Sequence, residues 1–146
     1  MNDKKLFKGI KNPKLFILII TLIYATLTIL ACVSAVNDIS NISTTSVGIG
    51  TVLSLVWFQI CIIGFLVITY YMYSKKGNKG VILEVIIAVA LILNVVANML
   101  ISGAVNSLVF LNFVIPLALL IHSFLYVYSN YIEKKQIEIK KKFNIK

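Results

Sequence analysis

Four apolar runs, near residues 15–36, 48–73, 81–101 and 108–128, fill most of this chain, and only short polar segments separate them. About 20 apolar residues in a helix cross about 30 Å of hydrocarbon. Hydrocarbon offers no water to the backbone, so each peptide group must find its partner within the protein, and a helix provides that within one segment. The pattern therefore predicts an all-α membrane protein, a four-transmembrane-helix antiparallel bundle forming a single integral-membrane domain over residues 1–146. Links of this length make successive helices antiparallel neighbours. Composition agrees: 60% of residues are hydrophobic and 13% charged, far from the near-half apolar, quarter-charged balance of soluble domains. What lies outside the spans is too short for a soluble catalytic domain.

Orientation is written in the lysines. All 14 basic residues are lysine, and they fall in three segments: the tail 1–14, the link around Lys75, Lys76 and Lys79, and the tail 131–146. The other two links carry no positive charge. Excess lysine marks cytoplasmic segments, so the N-terminus, the middle link and the C-terminus are predicted to be cytoplasmic. The tyrosines point the same way. Tyr70, Tyr71 and Tyr73 end the second run, and Tyr126, Tyr128 and Tyr131 end the fourth. There a ring can sit in the lipid boundary with its hydroxyl in water. In this setting a net charge of +9 implies contact with anionic headgroups of the bilayer at the cytoplasmic face, not with nucleic acid. Absent arginine and abundant Ile, Asn and Lys fit an AT-rich bacterial genome, and hence a bacterial plasma membrane.

Several short patterns have a bland explanation. Ile29-Leu30-Ala31-Cys32 looks like a lipoprotein processing box, but Leu30 fits it poorly and three further spans follow, so the first run is expected to be retained. Asn41-Ile42-Ser43 matches a glycosylation sequon, which recurs by chance. Cys32 lies near the outer end of the first run and Cys61 deep in the second. Their depths differ by too much for a disulfide, which needs Cα atoms within about 7 Å.

The informative residues are polar positions inside the spans. Helices in lipid associate through small side chains and interhelical hydrogen bonds. Thr21, Ala25, Thr28, Cys32 and Ala35 form a small-residue seam on the first span. Asn94, Asn98 and Ser102 form a polar stripe on the third, with Glu84, Ala88 and Leu91 on nearly the same face. Gln59 and Asn112 fall at overlapping depth, so Gln59, Asn94, Asn98 and Asn112 are a candidate polar cluster. Pro116 interrupts the fourth span and frees the carbonyl of Asn112, a candidate helix hinge. Glu84 and His122 are the sharpest pair: each lies within a turn or two of the cytoplasmic end of its span, and adjacent helices can bring them together. Intramembrane ionisable residues are functional candidates by default. Glu84 is also shallow enough to reach the headgroups, Lys76 or Lys79.

The C-terminal tail has a helical pattern of its own. Ile132, Ile139 and Phe143 share a face, which suits a membrane-surface helix or a docking helix. Elsewhere the catalytic inventory is sparse. One histidine, five acids and two separated cysteines make no metal cluster of recognisable spacing. The glycines around Lys76-Gly77-Asn78-Lys79-Gly80 form a turn, not a phosphate loop. No cofactor is implied, and the chain is expected not to be an enzyme. In size, span number and basic tails it is similar to small four-helix immunity and accessory proteins of Gram-positive bacteria, a likeness of format that no motif carries. It departs from small multidrug transporters, whose embedded glutamate sits in the first span. The leading expectation is a protein acting through a membrane-protein partner or self-association: an accessory subunit, regulator or immunity-type protector. The competing one is a small oligomeric transporter or channel using Glu84, His122 and the asparagines.

Overall fold

The computed structural model describes residues 12–41, 46–75, 77–102 and 107–143; side chains at 34–41, 46–52, 55, 77, 98, 101–102 and 107–112, those of Ala35, Asn98, Ser102 and Asn112 among them, lie outside that description. Four helices make up the described chain: α1 (Pro13–Asn41), α2 (Ser46–Lys75), α3 (Gly77–Ser102) and α4 (Ser107–Lys142). Each contains a segment long and apolar enough to cross a membrane. The helices outrun the apolar runs because polar flanking residues continue the backbone hydrogen bonding in water or at the headgroups. The expected 74–80 link is mostly helix: α2 ends at Lys75 and α3 begins at Gly77, with Lys76 outside the described residues.

Local chemistry explains the ends. At the start of α1 the carbonyl of Asn12 accepts the N–H groups of Leu15 and Phe16 at 3.1 and 3.4 Å. Asparagine favours this capping position, and Pro13 follows at the first helical residue, where a missing N–H costs nothing. At the far end of the chain, the N–H of Phe143 donates to the carbonyl of Ile139 at 3.0 Å. α4 continues through Pro116 without interruption.

Sequence neighbours pack against each other, and α1 also touches α4, less extensively. Each helix contributes one narrow stripe to a shared core: Ile17, Ile20 and Tyr24 from α1; Ile62, Leu66 and Tyr73 from α2; Ile87, Ala88 and Leu91 from α3; Ile115 and Leu119 from α4. Most of the spacings are three, four or seven residues, those of one helix face, and adjacent Ile87 and Ala88 widen the stripe on α3. Elsewhere the helices present apolar side chains outward, Leu22, Trp57, Leu93 and Phe124 among them. Only 17–33% of each candidate span is buried within the protein, so hydrocarbon has to cover the rest.

Of the small-residue seam expected on α1, Thr21, Ala25, Thr28 and Cys32 are half-buried beside the buried stripe, and the side chain of Ala35 lies outside the described residues. Thr21 and Thr28 are half-buried and donate to the carbonyls of Ile17 and Tyr24 in their own helix, at 2.7 and 2.9 Å. Buried Thr69 and Ser123 do the same, to Phe65 and Leu119 at 2.8 Å. These hydroxyls are satisfied locally and do not join helices. Branched and aromatic side chains make the α1 contact instead.

Candidate functional site

Polar contact between helices concentrates where the end of α2, the start of α3 and the middle of α4 meet. Glu84 sits in the second turn of α3, and its stripe with Ile87, Ala88 and Leu91 turns it inward, leaving it 0% exposed. Its two oxygens face different helices. Oε1 lies 2.7 Å from His122 Nδ1 of α4. Oε2 accepts a hydrogen bond from the Tyr73 hydroxyl of α2. One carboxylate thus ties three helices together. A buried carboxylate is tolerable only with such partners, because desolvation of an unpaired charge outweighs any packing gain.

Aromatic rings enclose the pair. Phe16, from the first turn of α1, stacks on His122 with centroids 4.0 Å apart and planes 10° from parallel. Tyr126, one turn beyond His122, meets the Tyr73 ring edge-on at 5.4 Å and 79°, a favoured aromatic geometry. All four helices therefore contribute. Gly80 completes the packing: a Cβ there would stand 2.7 Å from Cγ of Tyr73. Only a residue without a side chain lets the ring lie against the α3 backbone. His122 is 7% exposed, and its Nε2 has no hydrogen-bond partner among the described residues.

The structure thus brings Glu84 and His122 into contact, and Lys79 is exposed. Tyr73 was expected in the interfacial belt, and the structure corrects this: it is 7% exposed and bonded to Glu84. Tyr70, Tyr71, Tyr128 and Tyr131 are exposed, with Lys75 Nζ 4.7 Å from the centroid of the Tyr71 ring. The sequence held the missed signal, since Ile62, Leu66, Thr69 and Tyr73 recur at four, three and four along the inward face of α2. Tyr126 and Gly80 carried the same signal, each four residues from His122 or Glu84 along an inward stripe, whereas Phe16 is one of many apolar residues on α1 and its residue type alone did not set it apart.

The asparagine cluster fares differently. Gln59 accepts a hydrogen bond from the Tyr24 hydroxyl, a second polar tie, between α1 and α2. Asn94 is half-buried. Asn98 and Asn112 have side chains outside the described residues, so any meeting of the four also lies outside them. Pro116 is buried in α4. Cys32 and Cys61 are both free thiols. Among the described residues no three His, Cys, Asp or Glu side chains group closely enough to hold a metal ion.

Chemically, the cluster can hold three helices in register and can pass a proton between Glu84 and His122. No protein-family model matches this chain, and neither does any curated protein or solved structure.

Proposed function

We propose that this chain is a non-enzymatic, multi-pass membrane protein that acts by binding another membrane protein, as an accessory subunit, regulator or immunity-type protector. In this reading it lies in the bacterial plasma membrane as an antiparallel four-helix bundle with both termini in the cytoplasm. The observation that carries it is the closure of the polar cluster. Glu84 is 0% exposed and both its oxygens are engaged. Groups that move ions or substrates face a water-filled cavity, whereas a dry, satisfied carboxylate orders helices. The outward apolar faces then serve lipid and a partner's helices alike.

Purification from native membranes in mild detergent, followed by mass spectrometry of what accompanies the chain, tests this. A defined companion at constant stoichiometry is expected. A clean monomer without a companion refutes it. Thiol labelling of single cysteines at residues 5 and 145 from either side of the membrane checks the orientation, with both reactive only from the cytoplasmic side.

One observation favours a second reading, a small oligomeric transporter coupled to protons. His122 Nε2 is buried with no partner among the described residues, which leaves one hydrogen-bonding position for a passing proton or ligand beside a carboxylate that can exchange with it. Proton flux into liposomes separates the two readings. Flux that vanishes in both Glu84→Gln and His122→Ala supports transport, and flux no greater than in empty liposomes excludes it.

A further inference from the structure

We propose that the end of α4 beyond the membrane, from Ile132, together with Phe143 in the turn that follows it, is a docking face for an acidic amphipathic helix on the partner. The inference rests on the partner-binding reading and adds the chemistry of the partner.

Length comes first. α4 is one helix of 36 residues, about 54 Å long at 1.5 Å per residue. A bilayer with its headgroups is about 40–45 Å thick. A tilt of about 20° shortens the reach of the helix only to about 51 Å. The surplus lies at the C-terminal end, because the apolar run stops near Tyr128 and charged residues begin at Glu133. The final turns of α4 therefore stand in water.

Those turns still carry a seam that is apolar at every position but Gln136. Ile132, Gln136, Ile139 and Phe143 recur at four, three and four residues, one face of a helix. Ile139 and Phe143 are 47% and 66% exposed. Lys135 and Lys142 border the seam on one side, and Glu133 and Lys140 on the other. An apolar seam flanked by charges is how one helix selects another in a coiled coil. From Tyr131 to Phe143 the chain has five lysines and two glutamates, so the charge surrounding the seam is positive.

Charge and reach choose the occupant. A second copy in the same membrane runs parallel, which sets Lys135 of one copy against Lys140 of the other, and like charges across a seam repel. Anionic headgroups match the charge, but the C-terminal end of a straight α4 reaches past them. A helix with apolar seam positions and glutamates beside them satisfies both the lysines and Phe143.

The test uses the full chain in nanodiscs of zwitterionic lipid and a labelled three-heptad peptide, with leucine at the seam and glutamate at the flanks, followed by fluorescence anisotropy. Saturable binding is expected, weakened about tenfold or more by Ile139→Ser or Phe143→Ser. Ile137→Ser, off the seam, should change it by about twofold or less. A version of the peptide with lysine for glutamate should not bind. Absent binding, or equal losses at residues 137 and 139, overturns the proposal. So does binding abolished when the nanodisc contains anionic lipid, since the membrane surface is then the occupant. The same Phe143→Ser chain purified from native membranes separates the two levels. Companions retained at wild-type stoichiometry overturn docking at α4 while leaving the partner reading intact.

Discussion

Gly80→Ala is the substitution whose effect the geometry fixes most tightly. In most helices this change stabilises, by about 1 kcal/mol, because alanine loses less backbone freedom than glycine. Here the added Cβ would lie 2.7 Å from Cγ of Tyr73 and 2.9 Å from Cδ1 and Cδ2, about 0.7 Å inside the shortest ordinary carbon–carbon contact. These are the ring atoms nearest the α2 backbone, so a small rotation does not clear them. The ring has to move bodily, and it is held at its tip by Glu84 and on its side by Tyr126. Overpacking costs about 1–3 kcal/mol, and a carboxylate oxygen left without its hydrogen bond costs about 1–3 kcal/mol more. Set against the propensity gain, Gly80→Ala should destabilise by about 1–5 kcal/mol. Reversible unfolding in mixed micelles, with denaturing detergent as the titrant, measures this. The sharper assay repeats the substitution in a Tyr73→Ala background, where the obstacle is gone. There the sign should reverse and Gly80→Ala should stabilise by up to about 1 kcal/mol. An equal cost in both backgrounds would refute the argument, since the penalty would then have nothing to do with the tyrosine ring.

The same unfolding assay reads three further perturbations. Glu84→Ala should cost about 3–5 kcal/mol, because it strands His122 and Tyr73 in a buried site, and a cycle of Tyr73→Phe with His122→Phe should be non-additive by about 0.5–3 kcal/mol; additive losses would mean the cluster does not act as a unit. Tyr24→Phe removes only the tie to Gln59 and should cost about 0.6 kcal/mol, so a loss as large as that of Glu84→Ala would show that the two polar ties have been ranked wrongly. For the cysteines, the intact mass should be the same with and without reductant, and two masses differing by two hydrogens would reveal a Cys32–Cys61 disulfide.

What could be read in advance follows from which interactions are periodic. The four helices were legible because hydrocarbon imposes a length and a composition on every span. The stripe through Glu84, Ala88 and Leu91 was legible too, since positions three and four apart share a face, and its depth suggested His122 as the partner. Tyr73 was misplaced because a tyrosine at a span's end satisfies the interfacial rule and the burial rule equally; the choice depends on the ring fitting over Gly80, which is a matter of shape. The small-residue seam on α1 had two readings for a related reason. A small polar face serves another helix or its own preceding turn, and in Thr21 and Thr28 the hydroxyl takes the nearer carbonyl. Helix ends were underestimated because an apolar run measures the hydrocarbon, while α4 continues to Lys142.

The cluster also sets a condition on how the protein is made. Tyr73 and Glu84 are close in the chain and enter the membrane together as α2 and α3 emerge. His122 belongs to the last helix, 38 residues after Glu84. During synthesis there is thus an interval in which Glu84 has one partner and one bare oxygen, and such a group in lipid draws water and headgroups toward itself. Arrival of α4 ends that interval. A chain whose fourth helix fails to pack leaves that oxygen without its partner inside the membrane, so a single imidazole decides whether the buried acid is satisfied.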